Sequence, residues 1–265
     1  MAQTFILALL ATTTAAAPSA LNSRIVGGTA AKLGEFPETL LLSWRNSQRQ
    51  CGAVLISDKV AVTAGYCLTE RDGTALPAEF LRRGQLRVGS LEAGSGGTVY
   101  GLTSVTVHSG YNVSTITNDI GLIHLSTSVQ QSRNVRKARL PAKGSDPRSG
   151  STASILGWGQ TVHGGQRAPV LLKVDAPIVD RETCRRLSKP PPANFHVTEK
   201  MICAGARNKS PCNGDSGGPI FDVATKNLIG IISAGRYCGT ENEPSVFTRI
   251  SAYLDWIEQN SKPKA

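Results

Sequence analysis

Short apolar runs separated by turn residues fill most of this chain, and they constrain its fold more than any other feature. Residues 40–44 and 51–56 flank a polar segment, and residues 221–223 and 228–233 flank a second one. Both arrangements are typical of β-hairpins. Short strands with Gly, Ser and Asn between them favour a sandwich or barrel over βαβ units. We therefore predict an all-β fold.

Helical periodicity is clear only near the C-terminus. Tyr253, Leu254, Trp256 and Ile257 place four apolar side chains on one helical face, which predicts a short helix over residues 251–260. With 265 residues, 40% of them hydrophobic, the chain is long enough for one large β unit or two small domains.

The N-terminus has the pattern of an export signal. An apolar run over residues 5–11 precedes Ala15-Ala16-Ala17, and it is too short to span a bilayer. We predict a signal peptide over residues 1–17 with its exact end left open; the alternative is a buried N-terminal helix. Six cysteines, an even number, suit an oxidising compartment. A secreted protein with no membrane span is expected, which argues against a nucleic-acid partner.

Three segments carry the functional signal. They are residues 62–67, which read Val-Thr-Ala-Gly-Tyr-Cys, residues 214–219, which read Gly-Asp-Ser-Gly-Gly-Pro, and residues 24–28, which read Arg-Ile-Val-Gly-Gly. They resemble segments of the trypsin-like (chymotrypsin-fold, S1 family) serine proteases. The resemblance extends from Ile25 to about Asn260.

This resemblance implies two six-stranded antiparallel β-barrels with a cleft between them and a short C-terminal helix. The protease domain would cover residues 25–260, after a pro-segment at 18–24. Barrel 1 would occupy about 25–140, barrel 2 about 141–250 and the helix 251–260. The sequence alone does not choose among the possible cysteine pairings. The family pattern implies Cys51–Cys67, Cys184–Cys203 and Cys212–Cys238.

The family pattern also assigns catalytic roles. Ser216 matches the nucleophile, and the backbone N–H groups of Gly214 and Ser216 match the donors of the oxyanion hole. Asp119 matches the acid that orients the general base. That base is a histidine in the family, and Tyr66 stands in its place. No metal and no cofactor is expected.

Tyr66 interrupts the predicted proton relay. An imidazole binds an aspartate with one nitrogen and accepts a serine proton with the other, whereas a phenol has one polar atom. A phenol with a pKa of about 10 is also almost wholly protonated at pH 7. Losing the base lowers turnover on the order of a millionfold in this mechanism. The other histidines, His108, His124, His163 and His196, match no catalytic position and are interpreted as surface residues.

The junction at Arg24 resembles a zymogen cleavage site. An activating protease that cuts after Arg24 would free the ammonium group of Ile25, which the family pattern pairs with Asp215. A buried pair of this kind can switch a loop between two states. The alternative is an uncleaved, exposed N-terminus.

The specificity pocket departs from the trypsin pattern. Ser210 matches the residue at its base, where trypsin-like enzymes carry an aspartate, so an apolar side chain is expected to fit better than Arg or Lys. Gly235 and Ser245 match the walls, and the serine should narrow the pocket. Ala234 replaces a common tryptophan and should thin one wall.

The chain is basic, with a net charge of +10. Local concentrations of Arg and Lys occur at 82–83, 133–139 and 181–189, and they allow either an anionic glycan site or scattered solvated charges. Asn112 and Asn208 lie in short glycosylation sequons. The predicted partner is an extracellular protein or peptide, and a monomer is expected.

Three interpretations remain open. The first is a secreted serine-protease homologue that has lost proteolysis and acts by binding. The second is an endopeptidase that uses Ser216 with impaired or substrate-assisted catalysis. The third is a sequence error at codon 66, because one base change converts a His codon to a Tyr codon. The presence of Tyr66 in place of the general base favours the first interpretation over the second. Resequencing the transcript would test the third.

Overall fold

The computed structural model describes residues 25–188, 195–235, 237–239 and 242–262. These residues form two closed six-stranded antiparallel β-barrels, as the sequence predicts. A short strand, β1 (Thr29–Ala30), comes first. The strands of the first barrel are β2 (Thr39–Trp44), β3 (Gln50–Ser57), β4 (Val60–Thr63), β5 (Gly84–Val88), β6 (Thr98–Val107) and β7 (Gly121–Leu125). Those of the second are β8 (Thr152–Gly157), β9 (Leu172–Val179), β10 (Met201–Ala204), β11 (Pro219–Asp222), β12 (Leu228–Ala234) and β13 (Ser245–Arg249).

Both predicted hairpins form. In the first barrel β2 pairs with β3, with Leu41 opposite Gly52, and β2 also pairs with β5, which closes the barrel. In the second barrel β11 pairs with β12, and Ile220 lies opposite Gly230. The inward-facing Val, Leu and Ile side chains of these strands are buried. Removal of this apolar surface from water contributes more than any other interaction to the stability of each barrel.

The described start of the chain lies on the second barrel and not within the first. Strand β1 pairs with β9, and Ile25 is fully buried in the core of the second barrel. The predicted boundary of about 25–140 for barrel 1 therefore includes a segment that packs elsewhere. The predicted signal peptide and pro-segment lie outside the described residues.

Three α-helices occur in the described part of the chain, of which the sequence pattern predicted one. They are α1 (Ala78–Arg82), α2 (Arg181–Leu187) and α3 (Leu254–Ser261). Helix α2 begins at an N-cap, because the side chain of Asp180 accepts a hydrogen bond from the Thr183 amide at 2.8 Å. At 8 residues, α3 is the longest of the three, far below the length needed to cross a bilayer.

Three disulfides connect loops to the barrels, with the pairing that the family pattern implies. They are Cys51–Cys67, Cys184–Cys203 and Cys212–Cys238. The first holds the turn after β4 against β3. The third joins two segments that border the cleft between the barrels.

Candidate active-site cleft

Ser216 lies in the turn before β11, where contacts from both barrels fix its main chain. Its carbonyl accepts a hydrogen bond from the Gly52 amide at 2.8 Å, and the Gly217 amide donates to the Ile232 carbonyl at 2.8 Å. Gly217 has a φ of +79°, and a Cβ there would lie 2.1 Å from Thr63 Oγ1. Only glycine fits this approach. The serine is therefore held at the junction of the two barrels.

The amides of Gly214 and Ser216 are the predicted donors of an oxyanion hole. Gly214 adopts a φ of +98°, a left-handed backbone value that favours glycine. Within the described chain, neither N–H group donates a hydrogen bond to the protein. Unpaired donors beside a serine are the arrangement that stabilises a developing oxyanion.

Asp119 is buried at the entry to β7 and is saturated with hydrogen bonds. Its Oδ1 accepts from the Tyr66 amide at 2.8 Å, and its Oδ2 accepts from the Ser233 hydroxyl at 2.5 Å. The carbonyl of Asp119 accepts from Thr248 Oγ1 at 2.7 Å. Burial raises the pKa of this carboxyl, and the hydrogen bonds from Ser233 and from the amides of Tyr66 and Gly65 oppose that rise.

Tyr66 lies in the 3-10 turn Gly65–Leu68 that follows β4. It borders the same cavity as Ser216 and Asp119, so all three predicted catalytic positions come together. The residue is 43% exposed, although a large aromatic residue is usually buried. The guanidinium of Arg49 lies 6.0 Å from the centre of the Tyr66 ring, and its Nη2 donates to the Tyr66 carbonyl at 2.8 Å.

None of the described histidines lines the cleft. The ring of His108 packs against Tyr253 and Trp256 of the C-terminal segment, with centroid distances of 5.6 and 5.3 Å. Burial, with a smaller contribution from Lys200, lowers the pKa of His108. His163 lies in a loop, where its Nδ1 is 3.7 Å from the sulfur of Cys238. The described histidines therefore offer no base in the cavity.

The cleft is a cavity of about 440 Å³ with a largely apolar lining. Its apolar contributors include Tyr111, Val113, Ile116, Phe195, Pro211, Ile232, Ala234, Pro244 and Val246. Ile116 has a φ of +54°, which is a strained value for a β-branched side chain. A cavity of this size and character suits an apolar side chain of a ligand.

Of the three predicted specificity residues, Gly235 lines the cavity, while Ser210 and Ser245 are almost completely buried behind it. The Ser210 hydroxyl donates to the Pro211 carbonyl at 3.1 Å. A Cβ on Gly235 would lie 2.9 Å from Ser245 Oγ, so the serine reaches close to the wall. The narrowing of the pocket by Ser245 stays a prediction.

Asp215 and Ile25 are both buried at the predicted activation site. The Asp215 carboxyl accepts hydrogen bonds from the amides of Gly159, at 2.6 Å, and Cys212, at 2.9 Å. Burial raises its pKa to about 7, against the effect of those hydrogen bonds. Val26 forms a β-bridge with Ser210, so the segment after the junction already lies against the pocket loop. Arg24 lies outside the described residues.

The remaining predicted surface features are the two glycosylation sequons and the basic segments. Asn112 and Asn208 are both exposed. In the basic segment at 181–189, Arg181 forms a bidentate contact with Asp146 at 2.7 Å. Part of that local charge is thus compensated within the protein, which weakens the segment as an anion site.

Comparison with known proteins agrees with this geometry. A family model described as Trypsin matches residues 25–257. The chain belongs to the trypsin family. It is 35% identical to trypsin epsilon of Drosophila erecta over 91% of this chain and 89% of that protein. It is 34% identical to trypsin delta of Drosophila melanogaster (91% and 90% covered) and to trypsin alpha-4 of Lucilia cuprina (89% and 87% covered).

Several residues that shape this trypsin-family cleft were absent from the sequence prediction. Ser233 and Thr248 donate to Asp119, and Arg49 holds the turn that carries Tyr66. Ser233 lies near the end of β12, two residues before the predicted wall residue Gly235, a position that could have marked it. Arg49 gave no such signal, since a lone arginine in a polar hairpin turn is usually solvated.

Proposed function

We propose that this trypsin-family chain is a secreted serine-protease homologue that has lost peptide hydrolysis and acts by binding an extracellular protein or peptide. The single observation that carries the proposal is Tyr66, which borders the cavity at the matched position of the general base. In the family pattern, an imidazole at this position would have to contact both Asp119 and Ser216. The three disulfides suit an oxidising, extracellular compartment.

The chemistry of acyl transfer explains why one residue matters so much. Ser216 needs a neighbour that takes its proton as the hydroxyl attacks a carbonyl and then returns it to the leaving amine. A phenol at neutral pH already carries its proton, so it cannot act as that base. Asp119 also borders the cavity, but its two carboxylate oxygens already accept hydrogen bonds from Tyr66 and Ser233.

The retained parts favour a ligand-binding role for the same cleft. Ser216, the two unpaired amides and the apolar cavity would still position a peptide. The same parts support a second candidate, a weak endopeptidase whose substrate brings its own histidine into the cavity. Cleavage after Arg24 by another protease is part of the first proposal, because Ile25 and Asp215, which the family pattern pairs after cleavage, are both buried. An anionic glycan is a further candidate partner for the basic surface.

Labelling of Ser216 tests the proposal. The protein that starts at Ile25 would be treated with an organophosphorus serine probe beside the Tyr66→His and Ser216→Ala variants. We expect no labelling of the natural protein and rapid labelling of Tyr66→His. Labelling of the natural protein that Ser216→Ala abolishes would overturn the loss of catalysis and favour the weak endopeptidase. Resequencing of the transcript at codon 66 tests whether the tyrosine is a sequence error.

A further inference from the structure

A cation lies beside Gly214, which carries one of the two unpaired amides. Arg167 is exposed, and its Nη1 donates to the Gln48 carbonyl at 2.6 Å, which anchors the guanidinium to the turn between β2 and β3. A Cβ on Gly214 would lie 3.0 Å from Arg167 Nε and 3.4 Å from its Cδ. The guanidinium is therefore adjacent to the peptide group that presents the Gly214 N–H.

The electrostatics of this corner favour a negatively charged group. The carbonyl that accepts a hydrogen bond from the Arg167 guanidinium is neutral, so that contact does not neutralise its charge. Its charge also reaches the buried Asp215, whose pKa it lowers slightly against the larger effect of burial. A neutral peptide carbonyl would use the two amides but not the cation. A carboxylate has two acceptor oxygens, and charge-assisted hydrogen bonds are about twice as strong as neutral ones.

The cavity next to this corner fits an apolar side chain. Pro211, Ile232, Ala234 and Val246 contribute to its lining, together with Asp119 and Glu243. Ser210, which is buried, stands where the family pattern has an aspartate that would attract a basic residue. A ligand that presents a carboxylate one bond from the carbon that bears an apolar side chain would match both features at once. The C-terminal residue of a peptide has that structure.

We propose that the cleft is a receptor for the free C-terminal carboxylate of peptides that end in an apolar residue. This inference rests on the proposed loss of catalysis, because a working enzyme would instead use the amides for an intact peptide bond. One carboxylate oxygen accepts from the Gly214 and Ser216 amides, the other faces Arg167, and the terminal side chain enters the cavity. Endopeptidases that cut after apolar residues generate such termini.

The test compares two peptides that differ only in terminal charge. N-acetyl-Ala-Ala-Ala-Leu would be titrated as the free acid and as the C-terminal amide into the secreted protein and into Ser216→Ala, which keeps the amide of residue 216. We expect the acid to bind at least about tenfold more tightly than the amide, as expected for a charge-assisted hydrogen bond. The Arg167→Gln variant should lose that difference. The Arg82→Gln variant, which removes an exposed arginine of α1, should keep it.

Each outcome decides the proposal. Equal affinity of the acid and the amide, or an unchanged preference in Arg167→Gln, would overturn it. A sulfated oligosaccharide should displace neither peptide, and competition by the oligosaccharide without any acid preference would assign the cation to a glycan instead. Hydrolysis of an internal bond of either peptide by the natural protein, but not by Ser216→Ala, would overturn the proposed function. The preference for the acid over the amide would then be measured in Ser216→Ala alone.

Discussion

The backbone amide of Tyr66 donates to Oδ1 of Asp119 at 2.8 Å, while the same residue is 43% exposed. The turn at residue 66 is thus positioned by main-chain contacts and by the disulfide at Cys67. The side chain contributes little to that positioning. Exchange of the side chain should therefore change the chemistry of the cleft without rebuilding the loop.

Tyr66→His should produce an enzyme whose rate follows the titration of an imidazole. A neutral imidazole is the active base, so kcat/KM for an apolar peptide anilide should rise with pH around the reference value of about 6.5 and then level off. The measurement is a pH–rate profile from pH 5 to 9. Tyr66→Phe is the matched control and should stay inactive at every pH. A flat profile in Tyr66→His would mean that the imidazole does not act as the base.

Ser233→Ala should destabilise the protein by about 1–3 kcal/mol at neutral pH, because Asp119 Oδ2 loses its donor in a buried site. Loss of the donor raises the pKa of Asp119 further, so the penalty is present when the carboxyl is charged and shrinks as falling pH protonates it. Urea unfolding at pH 7 and at acid pH measures the difference. The exposed Ser109→Ala variant serves as control, and a penalty independent of pH would contradict the account.

Cleavage after Arg24 should change how stability depends on pH. In the uncleaved chain the pKa of Asp215 is raised to about 7, so the folded state binds more protons than the unfolded state between about pH 4 and 7. Stability should therefore fall as pH rises through that range. A nearby Ile25 ammonium would lower the pKa and remove the fall.

Chemical denaturation of the uncleaved and cleaved forms across pH 4 to 8 tests this point. Asp215→Asn, which has no carboxyl to titrate, should flatten the curve of the uncleaved form. An identical pH dependence in the two forms would show that Ile25 does not pair with Asp215 after cleavage.

Ser245→Gly should widen the pocket. Ser245 Oγ lies 2.9 Å from the position of a Cβ on Gly235, so its removal frees space beside that wall. In the Tyr66→His protein, kcat/KM for a substrate with Phe before the cut should rise several-fold relative to one with Ala. Ser245→Ala removes only the hydroxyl and should give a smaller shift. If the ratio of kcat/KM for the Phe and Ala substrates is the same in Tyr66→His with Ser245, Gly or Ala at position 245, residue 245 does not form the pocket wall.

Arg49→Met should destabilise the turn that carries Tyr66. The guanidinium donates to the carbonyls of Tyr66 and Thr69 and lies 5.3 Å from the centre of the Trp44 ring. Loss of two charge-assisted hydrogen bonds and a cation–π contact should reduce the free energy of unfolding by roughly 2–4 kcal/mol. Arg49→Lys should recover little, because an ammonium lacks the planar fork. Full stability in Arg49→Met, measured by urea unfolding, would contradict this role.

The sequence predicted the parts of the molecule that depend on short motifs. The β-hairpins were predicted from short apolar runs that flank polar segments. The cleft residues Tyr66, Asp119 and Ser216 were predicted from family motifs, and the fold brings them to one cavity. Helix α2 was missed because its seven residues are too few for a periodic pattern to stand out. The contact between Arg167 and Gly214 was also missed, since it joins loops 47 residues apart that only the folded chain brings together.

The most direct test of the central claim is the ratio of kcat/KM for an apolar peptide anilide between the natural protein and Tyr66→His, both starting at Ile25. Loss of the base in this mechanism costs on the order of a millionfold, and an unevolved replacement should restore at least about a thousandfold. We predict that the natural protein is slower by that margin or more. A natural protein within about tenfold of Tyr66→His, and silenced by Ser216→Ala, would contradict the claim that Tyr66 ends catalysis in this cleft.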